Sequence, residues 1–428
     1  MSKAFAEDGI EKMLYDVRMG PQAVFHEGVI YVVYQRDSEN VGRGHPHIRT
    51  YDVEKGVWSE PVQIGRVKGY DHHFAPVLWF DAQAHLHVLF ECHVRTGGQH
   101  IVSTRPMSID AWEPGPQVDH SISYPRVLPL PGGRHLMYSR TFGHQGYWTY
   151  RVSDDGNTWS PTSALIDFDQ DPQVDGDTWA GTYQNVGLDV DATGLHIAIT
   201  TFHEGDSVRK RPNPRYDIHV PHSDRRNLYY VHLDIGSGRI TTIDGEDLVK
   251  PLSRHGPEVC KVWDSNQRMV NPPAILDDGK GSPMMILPVA SEESPWQGEH
   301  VFVRRKQDAW SLDAITALNN TWSGNWLLRE GNGLSALITT GDADGSLLEY
   351  GGGRVEKWTS GDEGDLWEKV AVWEPEPGLI CNNPRPVPTS DGGILEGYFT
   401  MMGWEGPEGL GKKRFVGKAF LCRDGEWL

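Results

Sequence analysis

The sequence is poor in several things, and each scarcity removes a class of protein. Its 428 residues include only four cysteines, Cys92, Cys260, Cys381 and Cys422, far apart and with no CxxC pair. That spacing gives no disulfide framework. No apolar run is long enough to cross a bilayer. The opening MSKAFAEDGIEKMLYDV has no apolar core of a signal peptide. The expectation is a cytoplasmic monomer with no membrane partner, secreted or periplasmic only if a leader has been removed. Basic residues are also scarce: 40 Lys and Arg stand against 59 Asp and Glu, a net charge of −19. The densest basic stretch, RKRPNPR (209–215), is broken by prolines and reads as a solvated loop. A nucleic-acid partner is therefore not expected. Long amphipathic helices are missing as well.

Glycine (48), proline (28) and tryptophan (16) are plentiful, the composition of a chain with many turns and large aromatic anchors. Strand-like runs recur throughout, among them GVIYVVYQ (28–35), PVLWF (76–80), LHVLFECH (86–93), HLMYSR (135–140), GLHIAITTF (194–202), PMMILPVA (283–290) and ILEGYFTMM (394–402). They are β-branched and aromatic, and turn residues bound them. Several hairpins end in a small motif: SDDGNTW (153–159), with Asp154, Gly156, Thr158 and Trp159, and SGDEGDLW (360–367). Looser copies are YDVEKGVW (51–58) and CRDGEW (422–427). An Asp that accepts backbone N–H bonds, a Gly that takes the unusual φ and a Trp that anchors the hairpin make a structural unit.

This motif resembles the Asp box of BNR-type repeats in sialidase-like propellers. Hairpin ends at Trp58, Trp112, Trp159, a degenerate one near Gly238, Trp310, Trp367 and Trp427 count seven. The expectation is all-β: one seven-bladed β-propeller domain over 1–428, of four-stranded antiparallel blades, at about 61 residues per blade against a usual ~40–50. The excess falls in 159–310, where long loop insertions are expected.

Three successive hairpins carry polar residues at one mouth. GYDHHFAPVLWFDAQAHLHVLFECH (69–93) has His72 and His73 before one strand and His93 after the next. If those strands pair antiparallel, His73 and His93 emerge together. SYPRVLPLPGGRHLMYSR then offers Tyr124 and Arg140, and the following blade offers Tyr183 and His203.

The pattern D-x-H…H, then YP…R, then a Tyr opening the next blade, resembles the BNR-repeat propeller polysaccharide lyases of the ulvan lyase and rhamnose–glucuronate lyase type. The resemblance is strongest over about 69–235. It implies a catalytic set of His73, His93, Tyr124, Arg140 and Tyr183, with His72, Arg140 and Tyr183 binding substrate. YDHHFAP departs from the family pattern, in which a second acidic residue and usually an Asn after the His are expected, and this leaves His72 and His73 as alternatives. The implied reaction is β-elimination on a 4-O-linked uronate, glucuronate or iduronate next to rhamnose, in an oligo- or polysaccharide. Arg or protonated His against the carboxylate stabilises the enolate-like charge that builds up when C5 loses its proton. Tyr124 would take that proton and return one to the leaving oxygen, one histidine sharing the transfer, while Tyr183 positions the sugar.

No organic cofactor is implied. His144, His203, His219 and His222 sit on neighbouring loops and would suit a structural Zn²⁺, which some relatives hold with a Cys among the ligands. No cysteine lies near His219. Two rivals come from other classes. One is a rhamnosidase-like hydrolase on the same propeller, although a glycosidase needs two flanking carboxylates and only Asp71 and Glu91 offer themselves. The other is a noncatalytic carbohydrate-binding propeller. The tryptophan-rich NNTWSGNW (319–326) reads as a blade anchor before it reads as a sugar platform.

Overall fold

Alternating apolar residues with turns at short intervals produce an all-β chain, as composition and patterning predict. The computed structural model describes residues 3–9, 14, 18–37, 43–69, 71–94, 96–143, 146–168, 179–204, 213–218, 224–253, 256–347, 351–405 and 417–428. Seven antiparallel sheets form the blades of a seven-bladed β-propeller. They divide between two compact units. One comprises 1–143, 148–163 and 373–428; the other comprises 144–147 and 164–372.

The first unit holds four blades. The first blade is built on Ala23–His26, Val29–Arg36 and His45–Asp52, and the second on Val77–Phe80, Leu86–Phe90, Gln99–Ser103 and Trp112–Pro114. The third begins Ser123–Leu130, Arg134–Arg140 and Trp148–Ser153. The seventh contains Leu379–Pro388, Ile394–Glu405 and Gly417–Arg423. The strand Ala6–Gly9 pairs with both the first blade (Gly9 with Arg36) and the seventh (Ala6 with Ala419), joining the two into one sheet. Alternate residues of the first two blades fill the space between them: Val24, Tyr31, Val33 and Ile48 meet Leu78, Phe80, Val88 and Phe90. Each such side chain contributes about 1.5–3 kcal/mol by leaving water.

The second unit holds three blades. The fourth comprises Trp179–Leu188, Gly194–Glu204, Arg225–Asp234 and Ile240–Thr241. The fifth runs from Ala274–Asp277 to Ala309–Leu318, and the sixth from Asn325–Glu330 to Glu368–Trp373, whose last residue counts with the first unit. Ala198, Leu228 and Tyr230 pack on Ile275, Met285 and Val303. Within the expected insertion region, 169–178, 205–212 and 219–223 lie outside the described residues.

The hairpin motif is structural, with one correction. In SDDGNTW the capping carboxylate is Asp155, not Asp154: its Oδ1 accepts from the Asn157 amide at 2.8 Å and the Thr158 amide at 2.7 Å. Asp154 is exposed and pairs with Arg134 at 2.9 Å. Gly156, at φ +78°, sits so close that a Cβ would meet the Asp81 backbone at 3.1 Å. Its carbonyl accepts from Trp79 Nε1 at 2.7 Å, and Trp159 stands edge-on to Trp79, so this turn fastens the third blade to the second. Near Gly238 the turn persists without tryptophan, with Asp234 accepting from the Ser237 amide at 2.7 Å.

Buried histidines accompany these turns. His196 Nε2 lies 2.8 Å from Asp277 and its Nδ1 lies 2.6 Å from the Tyr230 hydroxyl. Burial works to raise the Asp277 carboxyl, but the bonds from His196 and the Gly279 amide outweigh it and hold it below its ordinary range. In the second blade His87 bridges Asp81 at 3.3 Å and His100 at 2.9 Å. Burial pushes His47, His100, His135 and His300 down to about 4 from an ordinary 6.5. These four are neutral in the folded chain at pH values where the unfolded chain already binds protons. Their stabilisation is complete above about 6.5 and is lost progressively as pH falls towards 4. Thermal unfolding midpoints measured across that window should fall steadily with pH. A midpoint constant from neutrality to about 4 would contradict the burial of these rings as neutral groups.

Candidate active site

The site in the first unit is assembled from the mouths of two adjacent hairpins. Asp71 caps the short 3-10 turn His72–Phe74, its carboxylate accepting the His73 amide at 2.9 Å. The same oxygen lies 2.6 Å from His73 Nδ1, and the other carboxylate oxygen lies 3.8 Å from His93 Nε2. Val77 pairs with Leu89, and the Glu91 amide donates to the Phe74 carbonyl at 3.2 Å. The hairpin therefore brings both histidines to one end. Their rings stack at 4.0 Å with 4° between planes. His72 tilts against His73 at 4.0 Å, while its carbonyl accepts from Gln35 at 2.9 Å. Side-chain exposures of 18% for His73, 11% for His93 and 20% for His72 leave all three within reach of a ligand. Asp71, His72 and His73 bring their ligand atoms within 4.8 Å of one another, a set that could also hold a metal ion.

Tyr124 stands edge-on to both rings, 5.3 Å from His73 and 6.1 Å from His93. Its backbone is unusual. The pairing of Ser123–Leu130 with Arg134–Arg140 is broken by a bulge between Ser123 and Arg126, and Tyr124 inside it has φ +56°. A non-glycine residue in the left-handed region costs about 1–3 kcal/mol, and the following Pro125 restricts it further. The bulge turns the phenol towards the histidines. Ser123 pairs with Arg140, whose guanidinium lies 4.8 Å from the Tyr124 ring centre. A second guanidinium, that of Arg18, lies 5.1 Å from the same ring. Tyr124, Arg140 and Arg18 are all buried. Trp148 stacks behind Tyr124 at 6.2 Å.

The two hydrolase candidates separate. Asp71 is committed to His73, whereas Glu91 turns to the Lys68 amide at 3.3 Å and to Gln99 at 2.6 Å.

In the second unit Tyr183 is buried on the first strand of the fourth blade, paired with Thr200. His203 lies on the second strand of the same hairpin, paired with Ala180, and nothing is described of its side chain. The Tyr183 ring meets Phe202 at 4.6 Å and the Arg225 guanidinium at 4.5 Å. Arg225 also lies over Trp322 at 4.2 Å and donates to Asn271 at 2.9 Å. Trp322 of NNTWSGNW is thus a buried anchor, and Asn320 beside it donates to the Gly345 carbonyl at 3.2 Å. The other proposed zinc ligands, His144, His219 and His222, lie outside the described residues.

Sequence reading locates the histidines, Tyr124 and Arg140 but gives no part in elimination to Asp71 and none at all to Arg18 or Arg225. Asp71 is visible as an Asp two residues before His73. Arg18 and Arg225 carry no local signal, because long-range packing alone delivers them.

Comparison with known proteins agrees with this architecture. An ulvan lyase of Nonlabens ulvanivorans is 25% identical over 277 residues, covering 58% of this chain and 55% of that protein. An ulvan lyase of family PL25 from Pseudoalteromonas sp. (strain PLSV) is 24% identical over 280 residues, covering 58% and 53%. The chain spans about half the length of these curated relatives. Among solved structures, a PL25 ulvan lyase bound to -[GlcA(1-4)Rha3S]- superposes with a TM-score of 0.79 at 16% identity, covering 99% of this chain and 96% of that one. The polysaccharide lyase Uly1 gives a TM-score of 0.64 at 10% identity, covering 100% and 94%. Residues 30–318 match the family described as BNR repeat-containing family member, and the chain belongs to that family.

Proposed function

We propose that this protein is a polysaccharide lyase that cleaves a 4-O-linked uronate, in an ulvan-like oligo- or polysaccharide, by β-elimination. The observation that carries the reading is the cluster itself: a stacked histidine pair held by Asp71, edge-on to a tyrosine that has guanidiniums on its ring. Two named relatives are ulvan lyases, which supports the same substrate class.

Each residue has a task in this chemistry. The C5 proton of a uronate is hard to remove because the neighbouring carboxylate is already negative. Positive charge against that carboxylate stabilises the enolate-like state. Arg140 and His93 supply it. Asp71 accepts from His73 Nδ1–H, which fixes the tautomer and leaves Nε2 to exchange a proton at the open end of the ring. That partnership favours His73 over His72, whose Nδ1 lies 4.0 Å from the same Asp71 oxygen. Tyr124 takes the C5 proton and returns one to the departing O4. One residue can do both when proton and leaving group lie on the same face of the ring; when they lie on opposite faces, His73 takes the proton and Tyr124 supplies the other. Tyr183 is assigned the positioning of the sugar from the family resemblance alone. The test is the product: an unsaturated uronate formed without consumption of water.

A further inference from the structure

The third-blade strand that carries Arg140 runs on into an exposed aromatic ring. Among the described side chains every other Phe, Tyr and Trp is buried or half-buried, whereas Phe142 leaves 60% of itself to solvent. A lone exposed apolar side chain is ordinary on a protein surface, so exposure by itself decides nothing. Two further observations do. First, the Phe142 backbone is left-handed, at φ +56°, a conformation that bulky residues rarely accept. Gly143 follows at φ +73°, where a Cβ would meet Val94 Cγ1 at 2.9 Å. Second, Phe142 is knitted into the mouth of the site. Its amide donates to Ser121 Oγ at 2.9 Å, and that hydroxyl donates to the Val94 carbonyl at 2.9 Å. The Val94 amide in turn donates to Ser123 Oγ at 2.9 Å. Both serines are buried. Val94 follows His93, Ser123 precedes Tyr124, and Phe142 stands two residues past Arg140. One seam of side-chain-to-backbone bonds thus fixes the exposed residue beside the three segments that supply the site.

We propose that Phe142 is a sugar-binding platform of this site, its ring stacking on the apolar face of the pyranose next to the uronate. The proposal rests on the lyase reading and deepens it, since it names what holds the neighbouring sugar. Chemistry sends the two sugars to different places. The uronate carries a carboxylate and belongs against the positive charge of Arg140 and His93. Phenylalanine offers no charge. Its ring has an apolar, electron-rich face, which suits the C–H bonds along one side of a pyranose and does nothing for a carboxylate. A 6-deoxy sugar such as rhamnose adds a methyl group to that surface. Neither the exposure of Phe142 nor its left-handed backbone helps the fold. Both suit a platform, which needs a face open to the ligand and a backbone that is already in place when the ligand arrives.

The test measures affinity by calorimetry in the full chain carrying Tyr124→Phe to suppress turnover, alone and combined with Phe142→Ala or Phe142→Trp. The probes are a rhamnose–glucuronate oligosaccharide and free glucuronate. Phe142→Ala should weaken the oligosaccharide about 10-fold and free glucuronate by less than about twofold, because only the oligosaccharide reaches the ring. Phe142→Trp keeps an aromatic face and should bind the oligosaccharide within about threefold of the Phe142 protein, which keeps the proposal testable if the Ala variant does not fold. With Tyr124 intact, Phe142→Ala should raise KM while kcat stays within about threefold. The thermal unfolding midpoint should move by less than about 2 °C, since most of the ring lies outside the core. Equal losses for both probes, no loss for either in a folded variant, or a Trp variant as weak as the Ala variant would overturn the platform and leave the lyase reading intact. The expected losses, with water added to the products of the Tyr124-intact protein, would keep the platform and overturn the lyase reading.

Discussion

Tyr124→Phe is expected to lower kcat about 10²–10⁴-fold while KM and the thermal unfolding midpoint change little. The substitution removes one hydroxyl and leaves the ring that Arg18, Arg140 and Trp148 pack against. The loss therefore reports proton transfer and not packing. It should not be recovered at any pH, because phenylalanine has no proton to exchange. Steady-state kinetics and a thermal melt on the same preparation check this. Activity within about threefold of the parent would remove Tyr124 from the chemistry and shift both proton transfers to the histidines.

His73→Ala should be nearly as severe, with a second signature. The variant loses the ring that donates to Asp71 and stacks on His93, so kcat should fall about 10²–10⁴-fold. Asp71 then has His93 as its remaining ring partner in the catalytic pair, at 3.8 Å in the parent, and a poorly compensated carboxylate stands where the substrate carboxylate must approach. KM should rise as well. Asp71→Asn tests the tautomer argument more gently: an amide can still face His73 but no longer dictates which nitrogen carries the proton, and a loss of about 10–100-fold is expected. His72→Ala should cost much less than either. If His72→Ala were the most damaging of the three, the choice of His73 would be reversed.

How much of this is legible in the sequence depends on the reach of each interaction. Blade boundaries are local facts. The Asp–Gly–Trp turns, the alternation in runs such as VIYVVYQR and the prolines at strand starts announce themselves within a few residues. The convergence of His73 and His93 follows from one hairpin of known pairing, so it too can be read. The cap at 153–159 is off by one residue in the sequence because SDD offers two adjacent carboxylates, and only the turn's backbone decides that Asp155 faces the amides. The register inside the fourth blade is not readable either: it is set by the whole length of a ten-residue strand, and it brings Thr200 opposite Tyr183 and Ala180 opposite His203. Arg18 and Arg225 are invisible because each meets its tyrosine through packing distant in sequence. The bulge at Tyr124 is unreadable too, since a Tyr–Pro step ordinarily predicts extended backbone.

The central claim, elimination without water, is tested most directly by cleaving rhamnose–glucuronate oligosaccharides and ulvan in water enriched in oxygen-18 while following ultraviolet absorbance. The account predicts a rising absorbance from a conjugated C4–C5 double bond, and product masses that sum to the substrate with no heavy oxygen incorporated at the new ends during cleavage. Products that gain one water and carry the label, with no absorbance change, would contradict it and make the site that of a hydrolase.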